Sequence, residues 1–275
     1  MRKIGILFVA LMFAACTAIA QNGSSSAASG STSGNDTTSQ QTTQQHKNTA
    51  VRDQNAAENA KDEGNKDMAR LDQAAAIINQ LLAAPDNGIP QDVMDNAKCV
   101  GVIPSMIKGG FIFGAEHGRG VATCRLPNGG WSAPAFFTAT GGSWGAQIGV
   151  EGTDLVMLIM NQNGMNQLLD SKFKVGGSVS AAAGPVGREA SASTNWKFRS
   201  EVLTYSRARG AFIGATLNGV AIHQDKDATI NYYGSDKGFR PTLTGEVKDP
   251  HGNDRFVAAV RNAHAQATAK KEDNK

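Results

Sequence analysis

The chain has 275 residues, 40% of them hydrophobic and 19% charged, with a formal net charge of +3. Arg2 and Lys3 supply two of its 27 basic side chains, so the remainder carries 25 against 24 acidic ones. That near-neutral balance gives no global basic field, so electrostatic capture of nucleic acid has no support.

Residues 1–20 read as a signal peptide, with Arg2 and Lys3 as its charged start and Ile4–Ala15 as an apolar run too short for a lasting membrane anchor. Two processing routes stand side by side. Ala18-Ile19-Ala20 is an A-x-A-like cleavage site, and Phe13-Ala14-Ala15-Cys16 resembles a lipobox in which Cys16 is lipidated. Both predict export, to the periplasm, to a membrane-anchored lipoprotein or to the medium.

Residues 21–65 are dominated by Ser, Thr, Gln, Asn, Gly and Ala and hold almost nothing able to build a core. Such a stretch cannot offset the entropy of ordering, which predicts a flexible leader. The folded domain is then expected over 66–265, followed by a charged tail over 266–275.

Asp67–Ala83 carries Leu71, Ala74, Ala75, Ile78, Leu81 and Leu82 at spacings of three and four, the pattern of an amphipathic helix. Asp67, Arg70 and Asp72 are assigned to its polar side. Pro85 and Asn87-Gly88 end it, and Pro90 opens a short second helix with Val93, Met94 and Ala97 inward.

From Cys99 to Met160 the pattern changes to strands and glycine turns. Lys98–Arg125 reads as three short strands, with Lys108 and Arg119 at the turns between them. Asn128-Gly129-Gly130 marks a hairpin, and Phe136–Thr140, Trp144–Val150 and Leu155–Met160 continue the series. A short helix is expected around Met165–Phe173. Further strands follow at Val175–Ala183, Ala190–Trp196, Val202–Ser206, Ala211–Leu217 and Val220–His223, with Asn218-Gly219 as a hairpin signal. Arg255–Ala265 is a last amphipathic stretch. The fold class is α+β: a curved antiparallel β-sheet or barrel-like sandwich with flanking N- and C-terminal helices.

Little in this pattern is catalytic. Gly141-Gly142-Ser143-Trp144-Gly145 matches the G-x-S-x-G nucleophile elbow, but an elbow needs a helix directly after the serine, and Ala146, Ile148 and Val150 alternate like a strand. His117 reads as a polar turn residue. No metal or cofactor site is expected, because neither Cys99 nor Cys124 has a second ligand at zinc spacing. In an oxidising compartment those two cysteines are disulfide candidates, and closing that loop is worth roughly 3 kcal/mol in the chain-entropy model.

Six cations fall at strand ends or turns: Lys108, Arg119, Arg125, Arg188, Arg207 and Arg209. Convergence of several would form an anionic head-group site, since guanidinium forks bind phosphate in two-pronged fashion. The competing reading is scattered surface charge paired with Glu116, Glu151, Glu189 and Glu201.

The order of motifs resembles the SYLF-domain family. The matching stretches are Ala97–Pro104, Lys108–Phe111, Gly118–Val121, Trp131–Pro134, Gly141–Gly149, Thr153–Val156, Ala183–Arg188, Tyr205–Gly210 and Tyr232–Gly234. That resemblance implies a non-enzymatic domain that binds membrane lipids, phosphoinositides in eukaryotic members, and actin in fungal ones. Lipid contact in the family is associated with an amphipathic N-terminal helix and basic residues. The Asp67–Ala83 helix departs from it, lacking a Lys/Arg-rich face. The expected function is lipid binding in the cell envelope, with a structural or protein-interaction module as the alternative.

Overall fold

A computed structural model describes residues 37–83, 88–110, 113–144, 149–170, 172–186, 200–208, 211–215, 217, 219–252 and 255–273. The chain divides into two compact units, Met1–Val51 and Arg52–Lys275. Everything that follows concerns the second.

Helix α1 spans Thr37–Leu82, starting well before the expected Asp67 and inside the stretch read as a leader. Its upstream half is rich in Gln, Ala, Lys and Glu, which lose little entropy in a helix, and Gly64 alone does not break it. Leu71, Ala74, Ala75, Ile78 and Leu81 are buried as the spacing required. Asp67 and Arg70 are not on the polar side: they lie on the same buried face, 1% and 7% exposed. Helix α2, Gln91–Asn96, follows Pro90 and buries Val93 and Met94.

Four long strands come next: β1 (Cys99–Gly110), β2 (Phe113–Cys124), β3 (Ala135–Trp144) and β4 (Gly149–Ile159). After helix α3 (Gln162–Leu169) come the short strands β5 (Lys172–Lys174) and β6 (Ala181–Ala183). Then follow β7 (Val202–Ala208), β8 (Ala211–Gly214) and β9 (Ala221–Gln224). Helices α4 (Lys226–Tyr233), α5 (Phe239–Leu243) and α6 (Arg255–Asp273) complete the chain. The strands form one strongly curled nine-stranded sheet of order β5-β9-β3-β2-β1-β4-β7-β6, with β8 on β7. Only β6 and β7 pair in parallel. The α+β class and the curved sheet with flanking helices are therefore as the sequence indicated.

Both faces of the sheet are filled. Alternation sends Val100, Val102, Val121, Phe136, Val156, Leu158 and Tyr205 to one side, against α1, α2, α4 and α6. Cys99, Ile103, Met106, Phe137, Leu155 and Met157 go to the other, against α3 and α5. We call these the α1 face and the α3 face. The core is close enough that a side chain at Gly120 would run into the Phe137 ring.

Several boundaries differ from the sequence reading. Lys98–Arg125 holds two long strands rather than three, so Lys108 and Arg119 sit within strands, not at turns. Pro104 is accommodated by an irregularity between Val102 and Ile107, where Ser105 takes φ 55° and the register with both neighbours shifts. Gly219 has φ 83°, but β8 pairs with β7 whereas β9 pairs with β3 and β5, so no hairpin forms there. Val175–Ala183 contributes only a Val175–Val179 bridge and β6. Phe173 belongs to β5 instead of to α3. Helix α6 continues to Asp273 through the stretch expected as a tail. Ala190–Trp196 lies outside the described residues. Among the described residues no helix is long and apolar enough to cross a membrane.

Candidate functional site

Cys99 and Cys124 stand directly opposite each other on β1 and β2, Cα atoms 4.0 Å apart, and are joined by a disulfide. Both are fully buried. The bridge fastens the first pair of strands at the end where α2 enters the sheet.

The six cations are not one cluster. Lys108 shares parity with buried Met106, so it projects from the α3 face, 3.2 Å from Glu116 on β2. Arg125, just past β2, reaches the backbone carbonyl of Asp95 at 3.3 Å. Arg119 and Arg207 lie on the α1 face. Arg188 and Arg209 lie outside the described residues. Each described cation therefore has a partner, Glu116 among those the sequence suggested, Asp154 and Asp225 not.

On the α1 face the strand ends beyond the helices carry a distinct group. After the irregularity at Ser105, alternation brings Ile107 to this side, 51% exposed. His117 is its direct partner on β2, and Arg119 follows two residues along the same strand. On the opposite flank Gly152 of β4 faces Ile107, and Asp154 pairs with Arg207 of β7, Oδ2 to Nη2 2.7 Å. Arg119 and Arg207 thus flank Ile107 across three strand spacings, about 14 Å. The Arg119 side chain is 45% exposed. His117, read as a turn residue, is an exposed strand residue.

Beneath Arg119 lies a buried charge network. Arg70 Nη2 is 2.9 Å from Asp67 Oδ1, and its Nη1 is 3.4 Å from Asp225 Oδ2. Asp225 also caps α4 by accepting the Ala228 N–H at 3.2 Å, and Asn231 donates to Asp67 at 3.2 Å. The guanidinium of Arg70 sits over the Phe136 ring, 5.6 Å from its centroid. Arg119 reaches down to Asp225 at 3.7 Å and across to Glu63 at 3.8 Å. Burial pushes the Asp67 carboxyl up and the Arg70 guanidinium down from their ordinary values, although each pulls the other back. This network ties α1, β2 and α4 together. The signal was present: Asp67, Arg70, Leu71, Ala74 and Ile78 share one helical face, but charged residues were assigned to solvent by type. Asp225 gave no such signal, because α4 was not foreseen.

Ser143 lies in β3, and the next described element is strand β4, not the helix that an elbow requires. Among the described residues no group of three or more His, Cys, Asp or Glu side chains is placed to hold a metal.

With this geometry in view, relatives give the family. Residues 140–263 match the family model Ysc84, described as Las17-binding protein actin regulator. LAS seventeen-binding protein 3 of Saccharomyces cerevisiae is 35% identical over 188 residues, which is 67% of this chain and 40% of that protein. SH3 domain-containing YSC84-like protein 1 of Rattus norvegicus is 32% identical over 193 residues, 70% of this chain and 56% of the relative. The chain thus spans about half the length of the curated relatives it matches. Such identity across the whole sheet and its flanking helices settles the classification: the chain belongs to the SYLF (Ysc84) domain family.

Proposed function

We propose that this chain is a non-enzymatic, exported SYLF module that binds an anionic membrane surface through the open strand ends of its α1 face. One observation carries the reading: Ile107 is half exposed between Arg119 and Arg207, an apolar contact framed by two guanidinium groups. Each cation near an anionic leaflet contributes about 1 kcal/mol, comparable to the weak partly exposed pairs that hold Arg119 in the free protein. The sum is modest, so stable attachment requires a second signal, and lipidation at Cys16 supplies one. The reading moves the lipid site away from Lys108, which projects from the other face.

Flotation of the mature, unacylated chain with vesicles tests it. The expected result is co-flotation with phosphatidylglycerol-containing vesicles and none with phosphatidylcholine alone. No association with either removes direct lipid binding. The reading left standing is then a structural or protein-interaction module of the envelope, consistent with relatives named for binding Las17 and regulating actin.

A further inference from the structure

We propose that a groove between the β2–β3 connection and the start of α6 binds a single-chain anionic amphiphile, its phosphate or carboxylate held by Lys248 and Arg261. The groove has a volume of about 360 Å³, within the range of small-molecule sites. Leu126, Trp131, Val247 and Val257 form its apolar walls. Trp131 and Val257 are 8% and 7% exposed, so these walls are anchored in the core rather than mobile surface.

The walls are fixed by bonds of their own. Ser132 Oγ accepts the Cys124 N–H at 3.0 Å, and its carbonyl accepts Thr123 Oγ1 at 2.8 Å, which ties the connection to the end of β2. Gly245, at φ 88°, closes against Leu126; a side chain there would stand 2.9 Å from the leucine methyl. The groove is preformed.

Its charge is one-sided. Lys248 and Arg261 line it, and neither has a carboxylate within ion-pair distance among the described residues. The one carboxylate present, Asp249, already accepts the Tyr232 hydroxyl at 2.9 Å and the His251 N–H at 3.0 Å. Two unpaired cations beside four apolar walls match an anionic head joined to one hydrocarbon chain. A bilayer is too broad for the groove, and a free anion leaves its walls unused. None of the six cations singled out from the sequence lines it, so it is independent of the membrane-facing strands.

The test is titration of the full chain with dodecyl phosphate below its micelle concentration, followed by calorimetry and tryptophan fluorescence. Saturable binding at one per chain is expected. Inorganic phosphate and the neutral dodecyl maltoside should bind at least about tenfold more weakly, as loss of charge-assisted hydrogen bonds or of the chain implies. Lys248→Gln with Arg261→Gln should weaken dodecyl phosphate by a similar factor without shifting the melting curve, since both side chains are exposed. Arg207→Gln should leave it unchanged, which separates this site from the membrane face. Absence of saturable binding, equal binding of dodecyl maltoside, or wild-type affinity in the double variant overturns the proposal.

Discussion

Arg207 and Asp154 face each other across β7 and β4, 2.7 Å apart, and Asp154 uses its other oxygen to accept the Ser105 N–H at 2.9 Å. One carboxylate thus holds both the positive-φ residue of the β1 irregularity and a cation of the proposed membrane face. Asp154→Ala should separate those roles. Stability should fall by about 1–3 kcal/mol, the cost of leaving the Ser105 amide without its partner. Vesicle binding should rise, because Arg207 is released. Urea unfolding and flotation on the same preparation check both halves.

Arg70 is the hub of the buried charges. Arg70→Leu strands Asp67 and Asp225, and removing one partner of a buried ion pair costs about 3–5 kcal/mol. The triple change Arg70→Met, Asp67→Asn, Asp225→Asn should recover most of that loss, since the uncompensated charges go with it. Chemical denaturation of both variants measures the difference; equal instability in the two would show that the network acts through packing, not charge.

His264 gives a pH dependence with a definite sign. Its Nε2 is buried without a hydrogen bond, 3.7 Å from Asp95 on α2, and its ring packs edge-on against Trp131. Burial first, then the Arg125 guanidinium, hold its pKa below the ordinary 6.5, while Asp95 opposes them. The unfolded chain therefore takes up the proton first, so stability is lost as pH falls below 6.5 towards the lower folded value. The urea midpoint should drop between about pH 7.5 and 5.5, and His264→Gln should flatten that drop.

The Cys99–Cys124 bridge should leave both thiols unreactive in denatured, unreduced protein and expose them after reductant. Replacing either by Ser should cost about 2–5 kcal/mol, as loss of a native disulfide does in small exported domains. Identical thiol counts with and without reductant would contradict the pairing.

Much of the fold was legible. Leu71, Ala74 and Ile78 announced the face of α1, and Cys99 and Cys124 fell opposite each other as neighbouring strands allow. What failed was contextual. Pro104 and the glycines near Gly110 looked like strand breaks, yet an irregularity absorbs the proline and the strands run on. Helix α4 depends on tertiary bonds, its cap Asp225 held by Arg70 from 155 residues away, and no local period reports that. The site suffered most. Sequence placed Lys108 and Arg119 together by their distance along the chain, but the shifted register turns them to opposite faces.

That separation sets the most direct test of the membrane-facing reading. Flotation on phosphatidylglycerol-containing vesicles should be compared for Lys108→Glu and for Arg207→Gln with Ile107→Ser, both checked for an unchanged melting curve. The account expects Lys108→Glu to float like the parent and the double variant to remain in the dense fraction. Loss of flotation on Lys108→Glu with full retention in the double variant would contradict it.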